Sequence, residues 1–186
     1  IAFICSNSPA QMAPIGGKDK MLGTNPISMV VPVPGEDPII VDMATSVVAK
    51  SKFKEYKEQG KSLPEGWALD KYGKPTTDPD MGIQGLVLPM AGYKGYALSM
   101  MVDIVAGVLS GAAYLNKVGR FYNQDNNSMN VGFFMSVIDP QIVCGEEYDK
   151  VITDFVNLIR NSNAADGYKI SLPGADRLRY KAEHTN

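Results

Sequence analysis

The strongest candidate for chemistry in this sequence is the segment 41–46, which reads Val-Asp-Met-Ala-Thr-Ser. The preceding residues 37–41 form a short β-branched run that predicts a buried strand, and residues 47–59, rich in Lys and Glu, predict a charged helix. Thr45 and Ser46 then fall at the N-cap positions, where free backbone N–H groups and the positive end of the helix dipole favour a phosphate or pyrophosphate. An ordinary strand-to-helix turn without a ligand fits the same pattern.

Two charged residues could extend such a site. Lys94 lies between Gly92 and Gly95, which would permit close approach of a ligand to the backbone. Its ammonium, ahead of an apolar run, would join backbone donors that suit a phosphate or carboxylate. Asp42 ends the predicted strand, at the carboxyl edge where ligands of open α/β sheets bind. The alternatives are a solvated loop lysine and a turn or helix-capping carboxylate.

The sequence offers no credible catalytic base. His184 is the only histidine and lies among the last three residues, where a frayed tail is expected. Asp103, in the apolar run, fits a partnered structural carboxylate better than a functional acid. A single histidine also excludes most zinc sites, and no metal is expected.

Composition restricts the remaining classes. A net charge of −2 and a pI near 5.4 argue against nucleic acid as a partner. Cys5 and Cys144 have neither metal nor redox spacing and indicate buried thiols in a reducing compartment, the cytoplasm. No signal peptide is visible, and the glycosylation-type motif at 126–128 is interpreted as a chance match.

Strands and helices alternate along the chain, which predicts the α/β class with a mixed β-sheet and flanking helices. A long loop with the only tryptophan, Trp67, is predicted at 63–79, and an amphipathic helix at 148–160. Further strands are predicted at 1–5, 27–33 and 131–138. Pro32 indicates that the second of these lies near a sheet edge, and the third is predicted to be buried.

The segment 96–115 is apolar except for Asp103, so a membrane span has to be considered. A mid-span carboxylate would cost several kcal/mol in lipid. A buried helix packed through its glycines, at a subunit interface, is therefore the preferred interpretation, and no membrane partner is expected.

The length of 186 residues suits one domain, yet the chain opens at Ile1, inside a strand-like run and without an initiator methionine. We therefore expect it to be part of a longer protein. Neither the G-x-G dinucleotide fingerprint nor the phosphate loop of nucleotide hydrolases is present, so any nucleotide must bind by another architecture.

Several segments together resemble the malate/L-lactate dehydrogenase family of NAD(P)-dependent oxidoreductases, which is unrelated to Rossmann-type enzymes. The matching segments, in the family's order, are Gly23-Thr24-Asn25-Pro26, Val41-Asp42-Met43-Ala44-Thr45-Ser46, Pro64-Glu65-Gly66-Trp67-Ala68, Pro75-Thr76-Thr77-Asp78-Pro79, Gly92-Tyr93-Lys94-Gly95-Tyr96, Val131-Gly132-Phe133-Phe134 and Leu172-Pro173-Gly174.

The resemblance implies a non-Rossmann, sulfolactate-dehydrogenase-like fold, a homodimer, and hydride transfer between NAD or NADP and a small 2-hydroxy or 2-keto acid. It implies that the cofactor is held by Ser8, Asp42, Met43, Ala44, Tyr93, Lys94, Gly174, Ala175 and Asp176. The family commonly has Glu where this chain has Ala175, a position whose role Asp176 could take.

The resemblance also implies that residues 1–186 form the cofactor-binding domain and C-terminal segment of a larger enzyme. The family's catalytic histidine, with a nearby serine and arginine, lies in an N-terminal helical segment that this chain lacks, so no catalytic residue is assigned here. The alternative function is a non-catalytic ligand-binding or self-association module, and a third is a membrane-anchored protein built around 96–115.

Overall fold

The structure of the protein, a computed structural model, describes residues 1–120 and 128–184. Its internal contacts divide the chain into two compact units. Unit 1 comprises residues 1–4, 28–42 and 135–186, and unit 2 comprises residues 5–27 and 43–134. Asn126 and Asn127 of the glycosylation-type motif lie outside the described residues. The assignment of residues 1–186 to one cofactor-binding domain stays a prediction.

The described residues combine strands and helices, which confirms the α/β class. The strands are β1 (Ala2–Ser6), β2 (Ile27–Val31), β3 (Ile39–Met43), β4 (Ala68–Leu69), β5 (Pro75–Thr76), β6 (Leu86–Val87) and β7 (Phe133–Val137). The α-helices are α1 (Ser51–Glu58), α2 (Pro79–Gln84), α3 (Tyr93–Val102), α4 (Pro140–Cys144), α5 (Glu147–Arg160) and α6 (Ala175–His184).

Unit 1 holds most of a four-stranded sheet with the order β3-β2-β1-β7. Its core consists of Val31, Val33, Ile39 and the fully buried Val156 of α5. The predicted amphipathic helix at 148–160 is confirmed as α5, because its apolar residues recur at helical spacing and face this core. The Tyr148 hydroxyl donates to the Pro32 carbonyl oxygen over 2.8 Å, at the end of β2.

The prediction of a buried strand at 131–138 is wrong in its burial. The strand exists as β7, but Phe133 is 67% exposed and Val137 is 71% exposed. A continuous apolar run predicts burial only where both faces of a strand are covered. β7 is the last strand in the sheet order, and its side chains are accessible in the described chain.

Unit 2 contains a small antiparallel sheet with the order β5-β4-β6, in which Ala68 pairs with Thr76 and with Val87. The predicted loop at 63–79 therefore includes two strands. Strands of two residues are too short to produce an alternating pattern, so the turn residues around them dominated the prediction. Trp67 lies edge-on to Tyr56, with 5.3 Å between ring centroids, beside the core that contains Phe53.

The predicted helix at 96–115 is shorter and half-exposed. α3 ends at Val102 and continues as a π-helical turn, Asp103–Val108, and the short 3₁₀ turn Leu115–Lys117 follows. One side of α3 and the π-helical turn is buried, at Gly95, Ser99, Val102, Asp103, Ala106 and Gly107. The other side exposes Met100, Met101, Ile104, Val108 and Leu109. Within the described residues, no helix is long and apolar enough to cross a membrane.

Candidate functional site

Unit 1 contains a cleft that brings together three of the predicted cofactor contacts. Asp42 lies in β3, Gly174 precedes α6, and Asp176 lies in the first turn of α6. The cleft has a volume of about 400 Å³ and is lined by Ile40, Asp42, Ser171, Leu172, Pro173, Gly174, Asp176 and Arg177. Ala175 also lies in the first turn of α6, where its methyl group offers no polar contact.

The segment before α6 is fixed to β3 by a close backbone contact. The Ile40 amide donates to the Pro173 carbonyl oxygen over 3.1 Å. Gly174 adopts a φ of +88°, and a Cβ built there would lie 2.7 Å from the Ile40 Cβ and 2.9 Å from its carbonyl oxygen. Only glycine combines this backbone conformation with such an approach. The close contact therefore sets where the positive N-terminal end of α6 begins beside Asp42.

Arg177 was not predicted, although it is the partner of Asp42. Its guanidinium forms an ion pair with the Asp42 carboxylate, and both side chains are accessible in the cleft. A carboxylate accepts hydrogen bonds from sugar hydroxyls, and a guanidinium binds phosphate in a bidentate manner. The only local hint in the sequence that Arg177 belongs to this site was its position three residues after Gly174. No sequence pattern linked Arg177 to Asp42.

The predicted anion site at Thr45 and Ser46 does not form. α1 begins at Ser51 with Lys50 at its N-cap, so neither residue caps a helix. The Thr45 amide donates to the Thr24 carbonyl oxygen over 2.9 Å, and the Val47 amide donates to Leu88 over 2.9 Å. These N–H groups are used within the protein, and both Thr45 and Ser46 are buried. The prediction placed the helix four residues too early.

Tyr93 and Lys94 lie in the first turn of α3, and both side chains are exposed, Tyr93 by 70%. The expectation that Gly95 allows a ligand to approach is wrong. A Cβ at Gly95 would lie 2.3 Å from the Met90 carbonyl oxygen and 2.8 Å from that of Thr45, so the missing side chain admits protein backbone instead. Gly92, with φ of +59°, has open space around its Cβ position.

Ser8 is part of a polar cluster built on the Gly23–Pro26 turn. Its amide and hydroxyl donate to the Asn25 Oδ1 over 3.0 and 3.3 Å. The Asn25 Nδ2 donates to the Ser99 carbonyl oxygen in α3 over 2.9 Å, and the Ser99 hydroxyl donates to the Gly23 carbonyl oxygen over 3.0 Å. The turn therefore attaches α3 to the segment after β1, and a cofactor contact by Ser8 stays a prediction.

Met43 and Ala44, the two remaining predicted contacts, follow Asp42 directly in the chain. Met43 is the last residue of β3 and is 40% exposed, and Ala44 is half-buried. Their roles toward a cofactor stay predictions.

Three titratable side chains bear on acid–base chemistry. His184 is the last residue of α6, where its exposed ring stacks on Tyr180, and the expectation of a frayed tail stays a prediction. Asp103 accepts a hydrogen bond from the Leu115 amide over 2.8 Å, and burial raises its pKa, as suits a structural carboxylate. Burial and the nearby cations Lys20 and Arg120 lower the pKa of Lys50 to about 7, which the sequence did not indicate.

Among the described residues, no cluster of three or more histidine, cysteine, aspartate or glutamate side chains is arranged to hold a metal. The fold and the cleft define an α/β protein with an accessible cleft in which a carboxylate and a guanidinium form an ion pair. The fold is similar to that of sulfolactate dehydrogenase from Methanocaldococcus jannaschii, with a TM-score of 0.87 and 34% identity over 98% of this chain and 52% of that chain.

The profile of the malate/L-lactate dehydrogenase family matches residues 1–186, and the chain belongs to this family. It is 40% identical over 140 residues to the NADP⁺-dependent (2R)-3-sulfolactate dehydrogenase of Chromohalobacter salexigens, covering 75% of this chain and 42% of the relative. It is 34% identical over 176 residues to the NAD⁺-dependent ureidoglycolate dehydrogenase of Escherichia coli, covering 94% of this chain and 50% of the relative. The chain thus spans about half the length of these relatives.

Proposed function

We propose that the protein carrying this chain is an NAD(P)-dependent oxidoreductase that acts on a small 2-hydroxy or 2-keto acid. The family match over residues 1–186 carries the proposal, and the names of the sulfolactate and ureidoglycolate dehydrogenases support the substrate class. Bound NAD or NADP would supply the hydride acceptor or donor, while the protein positions the reactants.

The residues of the unit 1 cleft fit the ribose end of such a cofactor. The Asp42 carboxylate would accept hydrogen bonds from ribose hydroxyls, and the Arg177 guanidinium would pair with a 2′-phosphate. Because the two side chains are paired with each other, each is ready to exchange its partner for a cofactor group. A volume of about 400 Å³ falls within the range of small-molecule sites, roughly 300–1,000 Å³.

Lys94 is proposed as a second cofactor contact, through its exposed ammonium in the first turn of α3. A lysine there acts as a point charge toward phosphate or carboxylate groups. Acid–base catalysis is proposed to depend on the histidine that the family resemblance places outside this chain. The 186-residue chain should therefore bind cofactor without completing turnover.

Titration of the protein with NADPH and with NADH tests this proposal. Binding is measured by calorimetry and by energy transfer from Trp67 and the tyrosines to the reduced nicotinamide. Loss of a charge-assisted hydrogen bond corresponds to about a 10- to 100-fold change in affinity. Arg177→Gln should weaken the binding of NADPH more than that of NADH, and Asp42→Asn should weaken the binding of NADH more than that of NADPH. Lys94→Ala should weaken the binding of both cofactors.

Matched controls remove exposed charges elsewhere. Lys150→Gln removes an exposed lysine that pairs with Glu147, and Lys61→Ala removes an exposed lysine whose ammonium donates to the Gln59 side chain. Both should leave the dissociation constants within about twofold. If the complete protein bound neither cofactor, the proposed function would be wrong, and a non-catalytic binding module would be the better description.

We also propose a homodimer. The exposed apolar side of α3 and the π-helical turn supports it, because five large apolar side chains on adjacent turns are unusual on the surface of a monomer.

A further inference from the structure

Unit 2 contains a second cleft whose charged residues, among those that the structure describes, are all basic. It has a volume of about 470 Å³ and is lined by Ala10, Gln11, Lys20, Lys50, Ser51, Lys54, Ile83 and Arg120. Among these lining residues there is no carboxylate, although the chain as a whole carries a net charge of −2. The predicted cofactor contacts are not among them.

Two of the ammonium groups are held in place by neutral acceptors. The Lys50 Nζ donates to the Gln11 Oε1 over 2.7 Å and to the Gly85 carbonyl oxygen over 3.0 Å. The Lys20 Nζ donates to the Gln84 carbonyl oxygen over 3.1 Å. Because the carbonyl oxygens of Gln84 and Gly85 belong to consecutive residues, the two ammonium groups are kept near each other.

This arrangement is electrostatically unfavourable without a counter-charge. Burial is the main cause of the lowered pKa of Lys50, and repulsion by Lys20 and Arg120 adds to it. Burial also lowers the pKa of Lys20. Among the described residues that line the cleft with Lys50, the other cations are Lys20, Lys54 and Arg120, and the rest are neutral. A purely structural lysine would do better with a carboxylate partner, since neutral carbonyl oxygens offset less of the cost of burying a charge.

We propose that this cleft binds a small oxyanion of the phosphate or sulfate class, held by Lys50, Lys20 and Arg120. An ammonium carries three donors, and the two named acceptors of Lys50 leave one for the anion. The anion would supply the missing negative charge. The site goes beyond the proposed cofactor contacts, and its test does not depend on enzymatic turnover.

The test is a calorimetric titration with sulfate, whose charge is constant across the pH range used. Saturable binding is expected at pH 7. Lys50→Met and Lys20→Met should each weaken it at least tenfold, whereas the exposed-surface control Lys61→Met should change it by less than twofold. Circular dichroism checks that each variant folds.

A pH series separates binding by Lys50 from a purely structural role. The anion needs Lys50 protonated, so sulfate affinity should fall from pH 7 to pH 9, by up to about tenfold per pH unit. Lys50→Arg keeps a positive charge throughout and should bind sulfate with a much weaker pH dependence. This variant also keeps the proposal testable if Lys50→Met fails to fold.

A competition arm identifies the source of the anion. If NADPH displaces sulfate from the cleft, the natural ligand is a nucleotide phosphate, and if sulfate binding is unaffected, it is a separate phosphate or sulfate compound. The proposal is overturned if sulfate shows no saturable binding, or if Lys50→Met and Lys20→Met bind it as the parent protein does.

Discussion

Asn25, in the Gly-Thr-Asn-Pro segment that resembles the family, has a structural role. It is fully buried, and its amide group links the Ser8 amide to the Ser99 carbonyl oxygen. A Cβ at Gly23 would lie 2.2 Å from the Ser8 carbonyl oxygen, so the same turn needs glycine there. The Gly-Thr-Asn-Pro segment therefore positions α3, and with it Tyr93 and Lys94.

Asn25→Ala should destabilise the protein by about 2 to 4 kcal/mol, because it removes two hydrogen bonds of a fully buried side chain and leaves the partly buried Ser8 amide without its partner. Urea unfolding followed by circular dichroism measures this change. The control is Asn161→Ala, at the exposed end of α5, which should cost less than about 1 kcal/mol. Equal losses for the two variants would contradict the structural role of Asn25.

The site residues differed in how far the sequence could reveal them. Asp42 was predicted because it ends a strand-like run, whereas Gly174 was predicted only from the resemblance to the malate/L-lactate dehydrogenase family. Arg177 was not, because it pairs with Asp42 across 135 positions and no local pattern encodes that contact. Lys50 was missed for a similar reason: within a lysine-rich segment it resembles a solvated side chain, and its burial depends on Gln11 and Gly85.

At the scale of elements, Asp103 begins the π-helical turn that follows α3. Its Oδ2 accepts a hydrogen bond from Leu115, whose φ of +53° is unusual for a residue with a side chain. Gly132 closes the other side of this turn, since a Cβ there would lie 1.8 Å from the Ala106 carbonyl oxygen. These long-range contacts explain why the apolar run at 96–115 does not form one regular helix.

The buried carboxyl group of Asp103 should make stability depend on pH. Burial raises the pKa of this carboxyl group above the ordinary value of 3.8. At a pH between 3.8 and the raised pKa, the folded protein therefore keeps a proton that the unfolded chain has released. Stability should therefore fall as pH rises from about 3.8 through the raised pKa. Asp103→Asn, which still accepts from Leu115, should be more stable than the parent at pH 7.

The measurement is urea unfolding of parent and Asp103→Asn proteins from pH 3.5 to pH 8, with Asp154→Asn on the exposed face of α5 as the control. The difference caused by Asp103→Asn should shrink toward pH 3.5, where the parent carboxyl is neutral. A stability difference that does not vary with pH would show that charge burial at Asp103 is not its cause.

Strand positions were predicted within about two residues for β1, β2 and β3, because β-branched runs bounded by Pro and Gly are local signals. Helix α1 was predicted too early, because its start at Ser51 depends on the backbone bonds that hold Thr45 and Val47 to Thr24 and Leu88. The strands β4 and β5 escaped prediction, since two-residue strands are defined by their partners.

At the scale of the whole molecule, the exposed apolar side of α3 and the π-helical turn predicts self-association. Met101 is 60% exposed on this surface, and a carboxylate buried there in a dimer would be unpaired and costly. Met101→Glu should raise the dimer dissociation constant at least tenfold, or about 1.4 kcal/mol, in sedimentation equilibrium.

Met81→Glu is the matched control, because Met81 on α2 is 53% exposed and lies outside this surface. It should leave the dissociation constant unchanged. A monomeric parent protein, or equal dissociation of both variants, would contradict the proposed interface.

The positions of Trp67 and Cys144 provide a donor and a labelling site for a distance measurement by energy transfer. Trp67 is the only tryptophan and belongs to unit 2, whereas Cys144 belongs to unit 1. Cys144 is exposed at the end of α4, so the expectation of a buried thiol is wrong for this residue. Cys5 is 3% exposed, and burial raises the pKa of its thiol, so a maleimide dye should attach at Cys144 alone. Energy transfer from the indole to that dye then reports the separation of the two units, in the free protein and as each ligand is added.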